Sequence, residues 1–386
     1  MNDDLASYFC NRMTPAVSLT SWGFPDARPI IISGPCSAET PDQVMATALA
    51  LKESGVHALR AGIWKPRTRP GSFQGMGEEA LVWLKNAGTV TGLPVMVEVA
   101  SPLHVEQALK SGIDMLWIGA RTTVNPFLVQ EIAEALSGID IPILVKNPVN
   151  PDTDLWQGAI ERFFNVGISR VGAVHRGFSA YENSTYRNKP NWEIPIELRR
   201  RLPGIPMFCD PSHICGNTYM IPYVAQFAMD LQYEGLMVEA HINPEDALSD
   251  AKQQLTPVEL REMLDYLIIR KANAETIEEL SRLEDLRDQI DELDAEIVHR
   301  LAERMHVARK IGRYKYHNNI AILQPERWNE IIASRTNKGV ELELTHEFVQ
   351  KLYGIIHEES IHQQTKQMNE EKNIENAGSS LNEPAS

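Results

Sequence analysis

The chain has 386 residues, of which 43% are hydrophobic and 23% are charged, and this size and composition predict a globular protein of two domains. A net charge of −15 argues against a nucleic-acid-binding surface, although a local cationic pocket can still bind phosphate groups. Four scattered cysteines, no membrane-length apolar run and no secretory signal pattern lead us to expect a cytoplasmic protein that does not interact with membranes.

Short apolar runs alternate with helical stretches from residue 30 to about residue 242. The eight runs cover residues 30–36, 57–63, 94–100, 115–120, 142–148, 170–177, 206–213 and 235–242. Their starts lie 21 to 37 residues apart, which fits a strand, a helix and two loops. They are apolar throughout, which is typical of parallel strands that are covered on both faces. Eight such units predict a TIM barrel, and a doubly wound open sheet is the alternative.

Helical patterns alone follow Leu255. Thr256-Pro257 predicts the start of the last barrel helix, within a predicted barrel domain of residues 1–270 in which 1–29 are an extension. A linker, 271–276, precedes a helical domain of three helices, 277–366, and we expect a disordered tail, 367–386. The first of these helices carries an apolar seam with heptad spacing, formed by Leu283, Leu286, Ile290, Leu293 and Ile297.

The carboxyl ends of TIM-barrel strands carry the catalytic residues, so side chains at those ends are the first candidates. Strands one, seven and eight become neighbours on closure, and potential metal ligands at or just after their ends are Cys36, His213, Glu239 and Asp250. A thiolate, an imidazole and two carboxylates suit Mn, Fe, Co or Zn, whereas a thiolate ligand argues against Mg. Cys36 alone could be a core residue and His213 a packed turn residue, but their convergence favours a metal site.

Cationic side chains follow successive strand ends around the same mouth. They are Lys65, Arg67, Arg121, Lys146 and Arg176. Buried cations need partners, and the strand ends offer no matching set of carboxylates. Phosphate and carboxylate groups of ligands would supply those partners, and arginine suits two-pronged contacts. Any single member could be a solvated surface charge, but five together indicate an anion site.

Together these motifs resemble 3-deoxy-D-arabino-heptulosonate-7-phosphate (DAHP) synthases of the I-beta type, over roughly residues 28–256. The resemblance rests on GPCSAE at 34–39, RAGIWKPRT at 60–68, SFQG at 72–75, IGAR at 118–121, DPSH at 210–213, VEAH at 238–241, SD at 249–250 and QQL at 253–255. It implies a TIM-barrel enzyme that condenses phosphoenolpyruvate with erythrose 4-phosphate, the first step of the shikimate pathway. A related synthase that uses arabinose 5-phosphate is the alternative, but the Lys-Pro-Arg-Thr motif favours the four-carbon aldehyde.

The resemblance also implies roles for individual residues. The metal ligands would be Cys36, His213, Glu239 and Asp250. Phosphoenolpyruvate would be bound by Arg121, Lys146 and Arg176, with Lys65 nearby. Erythrose 4-phosphate would be received by Lys65, Arg67, Thr68 and Asp210. Glu98 is the candidate for orienting the attacking water, and Lys65 is the candidate for protonating the new alkoxide.

Residues from about 280 to 366 resemble the all-helical class of chorismate mutases. The matching residues are Arg287, Arg304, Lys315, Arg327, Ser360 and Gln364. The resemblance implies rearrangement of chorismate to prephenate, with the arginines on the carboxylates and with Lys315 and Gln364 at the ether oxygen. Trp328 and Gln324 stand where the family often has Glu and Asp, which normally touch the substrate hydroxyl. We therefore expect lower activity or altered affinity.

Helix geometry separates Arg287 from the other matching residues. Arg304 and Lys315 are eleven residues apart and share a helix face. Arg287 lies about 25 Å along the axis from Arg304 and about 100° around it, so we expect it to reach a site in a partner chain of a homodimer or higher oligomer. A regulatory sensor for chorismate or prephenate and a plain dimerising coiled coil are the alternatives. The fusion suggests that prephenate inhibits the first activity.

Overall fold

The computed structural model describes residues 18–65, 71, 73–179, 184–271, 273 and 276–380. The chain forms two compact units, Met1–Ala272 and Asn273–Ser386. No helix among the described residues is long and apolar enough to cross a membrane. Each unit is described separately below.

The first unit contains a closed barrel of parallel strands that follow one another in chain order. The strands are β1 (Ile30–Gly34), β2 (Ala58–Ala61), β3 (Val95–Val99), β4 (Met115–Ile118), β5 (Ile143–Lys146), β6 (Val171–His175), β7 (Met207–Cys209) and β8 (Gly235–Glu239). The barrel closes between β1 and β8, where Gly34 pairs with Glu239. The predicted TIM barrel is confirmed, and the alternative of an open doubly wound sheet is wrong.

Two apolar layers explain why the strand sequences do not alternate between apolar and polar residues. Ile30 and Ile32 of β1 point into the barrel, where they pack with Trp117 and Phe208. Ile31 belongs to the second layer, between the strands and the helices. Because both faces of every strand are covered, both sets of positions are apolar.

Helices on the outside of the barrel connect the strands. They are α1 (Pro41–Glu53), α2 (Glu78–Thr91), α3 (Pro102–Lys110), α4 (Ala120–Thr123), α5 (Pro126–Ala135), α6 (Thr153–Asn165), α7 (Glu193–Arg201), α8 (Pro211–Cys215), α9 (Ile221–Asp230) and α10 (Pro257–Tyr266). Local sequence signals set several of their starts. Thr40, Ser101 and Asn125 each cap a helix through the side-chain oxygen and are each followed by proline.

The second unit consists of three helices, α11 (Ile277–His317), α12 (Pro325–Glu341) and α13 (His346–Ser380). Thr276 starts α11 with a capping box to Glu279. The heptad seam of α11 lies on the surface of the chain, and its members are Leu283, Leu286, Ile290, Leu293 and Ile297, between 38% and 59% exposed. An apolar stripe of this length normally packs against another surface.

The end of α13 differs from the sequence-based expectation. We predicted a helix to about residue 366 and then a disordered tail, but the helix continues to Ser380. Contacts with α11 accompany this extension. The Glu371 carboxylate lies 2.7 Å from Nε of Arg313 on α11, and Gln367 of α13 itself donates a hydrogen bond to the same carboxylate. Polar composition alone does not reveal such partners.

Candidate active sites

A cluster of metal-ligating groups lies at the junction of β1 and β8. Cys36, two residues after β1, Glu239, the last residue of β8, and Asp250 each offer a ligand atom, and these atoms all lie within 4.8 Å of one another. The pairing of Gly34 with Glu239 brings the first two together. Asp250 lies in the segment between Ala240 and Leu255. These two residues form a parallel β-bridge, which holds the segment near the end of β8.

The backbone of this cluster is held by polar side chains. Gln254 accepts a hydrogen bond from the Cys36 amide at 2.8 Å and donates one to the Ser249 carbonyl at 2.9 Å. The Ser212 hydroxyl accepts a hydrogen bond from the Glu239 amide at 3.0 Å. The Ser-Asp and Gln-Gln-Leu motifs therefore fix the positions from which the candidate ligands project.

Opposite charges surround the cluster. Arg60 Nη1 lies 2.7 Å from Glu239 Oε1, with both side chains buried, and Lys65 Nζ donates to the Cys36 sulfur at 3.0 Å. Burial and Glu239 raise the pKa of the Cys36 thiol to about 11, against the opposing effect of Lys65. Burial would also raise the pKa of Glu239, but His213, Arg60 and Lys65 hold it below its usual range. The donor set of one sulfur and two carboxylates suits a borderline divalent metal, whose charge would also favour the thiolate.

His213 lies beside this cluster but is not part of the group of three. Its Nε2 is 3.8 Å from Glu239 Oε1, and its Nδ1 is 2.8 Å from Asp210 Oδ2. Asp210 is fully buried and also lies 2.6 Å from Lys146 Nζ. The structure thus connects His213 and Lys146 through one carboxylate, and it places Asp210 where it orients both side chains.

A cavity of about 430 Å³ lies at the carboxyl ends of β3 to β7. Its charged and titratable lining residues are Glu98, Arg121, Lys146, Arg176, Arg187 and His213. Four cations thus face one carboxylate, and of these four Lys146 is paired with Asp210 and Arg187 with Asp250, both outside the lining. The excess of positive charge makes the cavity a site for an anion with several oxygens.

Arg176 is the most buried arginine of this cavity, with 8% of its surface exposed. Among the described residues no carboxylate lies within 4.0 Å of it, and its guanidinium donates only a long hydrogen bond, 3.4 Å, to the Gly177 carbonyl. Burial lowers the pKa of Arg176 to about 10, against the opposing effect of Asp210, and the positive charges of Arg187 and Arg121 act in the same direction as burial. A bound anion would relieve this unfavourable environment.

Glu98 occupies the wall of the cavity and is held by Trp117. The Trp117 indole donates a hydrogen bond to Glu98 Oε2 at 3.1 Å. Gly119 makes room for this carboxylate, because a Cβ atom at residue 119 would lie 2.1 Å from Glu98 Oε1. The guanidinium carbon of Arg60 also lies over the Trp117 ring, 4.8 Å from the ring centroid. Packing therefore fixes the position of Glu98.

Two cations of this site were not predicted from the sequence, and two predicted residues lie outside the part of the chain that the structure describes. Arg60 and Arg187 were not among the predicted residues, yet Arg60 pairs with Glu239 and Arg187 Nη1 lies 3.1 Å from Asp250 Oδ1. Arg60 had a signal, because it is the only charged residue in the apolar run 57–63. The predicted ligand residues Arg67 and Thr68 lie outside the described residues.

The helical unit contains its own cavity, of about 460 Å³, lined by all three of its helices. Five of the six predicted mutase residues line it: Arg304, Lys315, Arg327, Ser360 and Gln364. Burial lowers the pKa of both Arg304 and Lys315. Arg304 donates a hydrogen bond to Ser360, which positions its guanidinium, and Lys315 donates to the Ile322 carbonyl at 2.6 Å.

Arg287 lies outside this cavity, as its position on the helix predicts. It is exposed and pairs with Glu284 of the same helix at 2.5 Å. Trp328 and Gln324, the two departures from the mutase pattern, both line the cavity. Trp328 stacks on His357, with ring centroids 3.9 Å apart and 17° between the planes.

Comparison with known proteins assigns each of the two units to a family. Residues 22–275 match the family model described as DAHP synthetase I family, and residues 286–365 match chorismate mutase type II. A phospho-2-dehydro-3-deoxyheptonate aldolase of Thermotoga maritima is 33% identical over 225 residues, which cover 58% of this chain and 64% of that protein, somewhat less than two thirds. A 2-dehydro-3-deoxyphosphooctonate aldolase of Nitratidesulfovibrio vulgaris is 28% identical over 58% of this chain and 85% of that protein.

Solved structures give the same result for the barrel. The crystal structure of the phospho-2-dehydro-3-deoxyheptonate aldolase (DAHP synthase) from Thermotoga maritima superposes with a TM-score of 0.56 at 31% identity, covering 61% of this chain and 67% of that chain. A truncated form of 3-deoxy-D-arabino-heptulosonate 7-phosphate synthase from the same organism covers 67% and 91%, at 27% identity and a TM-score of 0.56. The chain belongs to the DAHP synthetase I family, and it carries a chorismate mutase type II segment after its barrel.

Proposed function

We propose that the barrel, residues 1–270, condenses phosphoenolpyruvate with erythrose 4-phosphate to give DAHP and phosphate, and that the helical domain, residues 277–366, converts chorismate to prephenate. The observation that carries the first activity is the adjacency of two sites. A cluster of one thiol and two carboxylates, Cys36, Glu239 and Asp250, lies at the same end of the barrel as a cavity lined by four cations and one carboxylate. A metal-assisted aldol-type reaction of an anionic substrate needs both sites together.

The donor set fits a divalent transition metal of the Mn, Fe, Co or Zn class. Cys36, Glu239 and Asp250 would hold it together with His213, whose ring already contacts Glu239. When bound, the metal supplies Lewis-acid polarisation of the sugar aldehyde. Lys65, at 3.0 Å from the Cys36 sulfur, is close enough to the same position to protonate the alkoxide that forms there.

The cations of the cavity position phosphoenolpyruvate. The phosphate and carboxylate of phosphoenolpyruvate would be bound by Arg121, Lys146 and Arg176. These anionic groups would give Arg176 the partner that it lacks among the described residues. Arg67 and Thr68 would receive the phosphate of erythrose 4-phosphate. Glu98, on the wall of the cavity, would orient the water that adds to the former enol carbon before phosphate leaves.

An assay of the full-length chain with metal removal tests this assignment. We expect DAHP formation to stop after chelation, to return on addition of Mn, Co or Zn, and to be slower with arabinose 5-phosphate in place of erythrose 4-phosphate. Cys36→Ser should lower the metal-restored rate by about 100-fold or more, because a hydroxyl is a poor ligand for these metals. Cys215→Ser is the matched control, since Cys215 is buried in the outer core layer and is not part of the cluster. A full rate in chelated protein, or faster turnover of arabinose 5-phosphate, would contradict the assignment.

The mutase proposal rests on the cationic cavity of the helical unit. The rearrangement is pericyclic, so it needs the dicarboxylate held in its reactive conformer and positive charge beside the ether oxygen. Arg304 and Arg327 would bind the carboxylates, Ser360 positions Arg304, and Lys315 with Gln364 would meet the ether oxygen. Turnover of chorismate distinguishes this enzyme from a sensor that only binds the ligand.

Arg287 would complete the mutase site of a partner chain. The exposed apolar seam of α11 supports such a homodimer, because it has no cover among the described residues. Arg287→Ala and Lys315→Ala should each inactivate the mutase. When the two variants are mixed after unfolding and refolding, each heterodimer contains one intact site, so about a quarter of the wild-type activity should return. No recovery in a mixture that forms heterodimers would refute a shared site.

We also propose that prephenate inhibits the synthase and that the protein works in a reducing compartment such as the cytoplasm. The fusion supports the first point, because a product formed later in the pathway is then made on the same chain as the first enzyme. The cysteines Cys36, Cys209 and Cys215 are all free, which supports the second. An unchanged synthase rate at saturating prephenate would refute the feedback proposal.

A further inference from the structure

A stacked pair of rings forms one wall of the mutase cavity. His357 of α13 lies parallel to Trp328 of α12 at 3.9 Å, and both residues line the cavity. His357 Nε2 is buried and has no hydrogen-bond partner among the described residues. Gln364 Oε1, in the same cavity, is a second buried polar atom without a partner in this part of the chain. A buried polar atom without a partner is unfavourable, so both positions favour a ligand that supplies one.

The charges around His357 are all positive on the cavity side. Arg304 and Lys315 face the cavity from α11, Arg327 faces it from α12, and no Asp or Glu of the described residues lines it. Ser360 and Gln364 of its own helix are neutral, and the neighbouring Glu358 and Glu359 are exposed. Burial, together with Arg304 and Lys315, lowers the pKa of His357. In the ligand-free protein the neutral form of this imidazole is therefore favoured.

We propose that His357 is a ligand-binding residue of the mutase cavity, and that it takes up a proton from solvent when a dicarboxylate occupies the cavity. This inference rests on the proposed mutase function. Two ligand carboxylates would offset the charges of Arg304 and Lys315 and so remove a cause that keeps the ring neutral. The imidazolium then donates a hydrogen bond to the ligand, and the Trp328 face stabilises its charge by a cation–π contact.

The presence of Trp328 explains why the protonation of His357 would depend on the ligand in this chain. The family often has Glu at this position, and a carboxylate there would hold a neighbouring histidine in its charged form with or without ligand. An aromatic ring stabilises the charged form more weakly, which leaves the proton to follow the ligand. His357 thus forms, with Trp328, a polar contact where the family uses an acidic residue.

The affinity of the cavity for a dicarboxylate ligand should therefore rise as pH falls. Because the bound state holds one more proton than the free state, the ligand binds more tightly as pH falls through the interval between the two pKa values of His357. The change is at most about tenfold per pH unit for one proton.

Calorimetry of prephenate binding to the full-length chain tests the proposal. Titrations near pH 7 in buffers of different ionisation enthalpy give the number of protons taken up per site. We expect an uptake approaching one proton for the wild type, almost none for His357→Gln, and the wild-type value for His362→Gln. His362 is an exposed histidine on the same helix and does not line the cavity, so it is the matched control. Equal uptake by the wild type and His357→Gln, or no uptake by the wild type between pH 6 and 8, overturns the proposal.

An NMR titration of His357 and an assay of chorismate turnover complement the calorimetry. If His357→Gln does not fold, NMR titration of His357 in the wild type should show a higher pKa with prephenate than without it, and an unchanged pKa overturns the proposal. Chorismate turnover, assayed on the same samples, tests the underlying function separately. Proton-coupled binding without turnover refutes the mutase activity and supports His357 as a ligand residue, whereas turnover without proton coupling does the reverse. Absence of prephenate binding would overturn the role of His357, and absence of both binding and turnover would overturn both proposals.

Discussion

Replacing Arg176 with methionine should have opposite effects on stability and on catalysis. Arg176 is buried in the cavity of the barrel, and no carboxylate of the described residues lies within 4.0 Å of it. Methionine keeps most of the apolar length of the side chain and removes the charge. The ligand-free barrel should therefore become more stable, while binding of phosphoenolpyruvate should be lost.

The pKa of Arg176 sets the size of the stability effect. Burial lowers it to about 10, between two and three pH units below the usual value for arginine, and each unit corresponds to about 1.4 kcal/mol, so the buried charge costs on the order of 3 kcal/mol. Since the folded-state pKa is the lower one, this cost is fully present below pH 10, falls as pH rises from the folded-state pKa towards the unfolded-state pKa, and is absent above the latter. After allowance for residual solvent, we expect a gain of about 1–3 kcal/mol, or about 2–4 °C in melting temperature per kcal/mol.

The effect on catalysis should be larger and opposite. Two charge-assisted hydrogen bonds to phosphoenolpyruvate, worth about 1.5–3 kcal/mol each, would lower kcat/KM by about 10² to 10⁴ when lost. Phosphoenolpyruvate at about 100 times its Kd should stabilise the wild-type barrel by about 2.7 kcal/mol and the variant hardly at all. Calorimetric melting with and without ligand, together with DAHP assays, measures both effects.

Arg199→Met is the matched control. Arg199 is paired with Glu234 at 2.9 Å and lies outside the cation cavity, so its replacement should lower stability slightly and leave the kinetics unchanged. If Arg176→Met melts below the wild type without ligand, the charge of Arg176 is stabilised in the folded protein, which contradicts an unfavourable buried charge. If it is still stabilised by phosphoenolpyruvate, Arg176 does not bind that ligand.

Two glycine positions give further predictions. Gly119→Ala should lower the synthase kcat by about 10- to 100-fold, because its Cβ would displace Glu98 from the wall of the cavity; unchanged kcat would show that the position of Glu98 is unimportant. Gly312→Ala should destabilise the helical unit by about 1–3 kcal/mol, because its Cβ would lie 2.8 Å from the Gln364 carbonyl oxygen. Mutase activity should fall with it and synthase activity should persist; equal loss of both would refute a local effect.

Other glycines serve as controls for these two variants. Gly158 lies on α6, where the atom nearest to an added Cβ is the flexible end of Arg162 at 3.2 Å. Gly354 lies on α13 with open space around it, so alanine there should be neutral or stabilise the helix by up to about 1 kcal/mol. Wild-type activities in both controls would attribute the earlier losses to the close contacts.

The barrel was predictable because its physical signals are local and repeated. Each strand appears as an apolar run, and the two core layers explain the lack of alternation, as at Ile30, Ile31 and Ile32. Closure is a consequence of the number of units and of their parallel order. Helix starts at Thr40 and Thr256 were similarly marked by a capping residue followed by proline.

Pairing within the site was less accessible to sequence reasoning. Strand ends identified Lys146, Asp210 and His213 separately, but the contact that joins them depends on side-chain directions that only the folded barrel fixes. Arg60 was missed for another reason. It lies inside β2 rather than at its end, and its long side chain passes β1 to reach Glu239 of β8. Reach, and not position along the strand, decides which cations enter such a site.

The net charge of −15 and the two cationic cavities are compatible because they act over different distances. Charge at the surface is screened within about 10 Å at ordinary ionic strength, whereas a buried cation responds mainly to the groups that touch it. Arg176 in the barrel and Arg304 in the helical unit both have a pKa that burial lowers. In each cavity the burial of a cation is therefore unfavourable, and binding of an anionic substrate reduces that free-energy cost. Raising salt should weaken substrate binding at both sites less than it weakens exposed ion pairs such as that of Lys110 with Glu106, because the cavity walls shield the cations from part of the surrounding electrolyte.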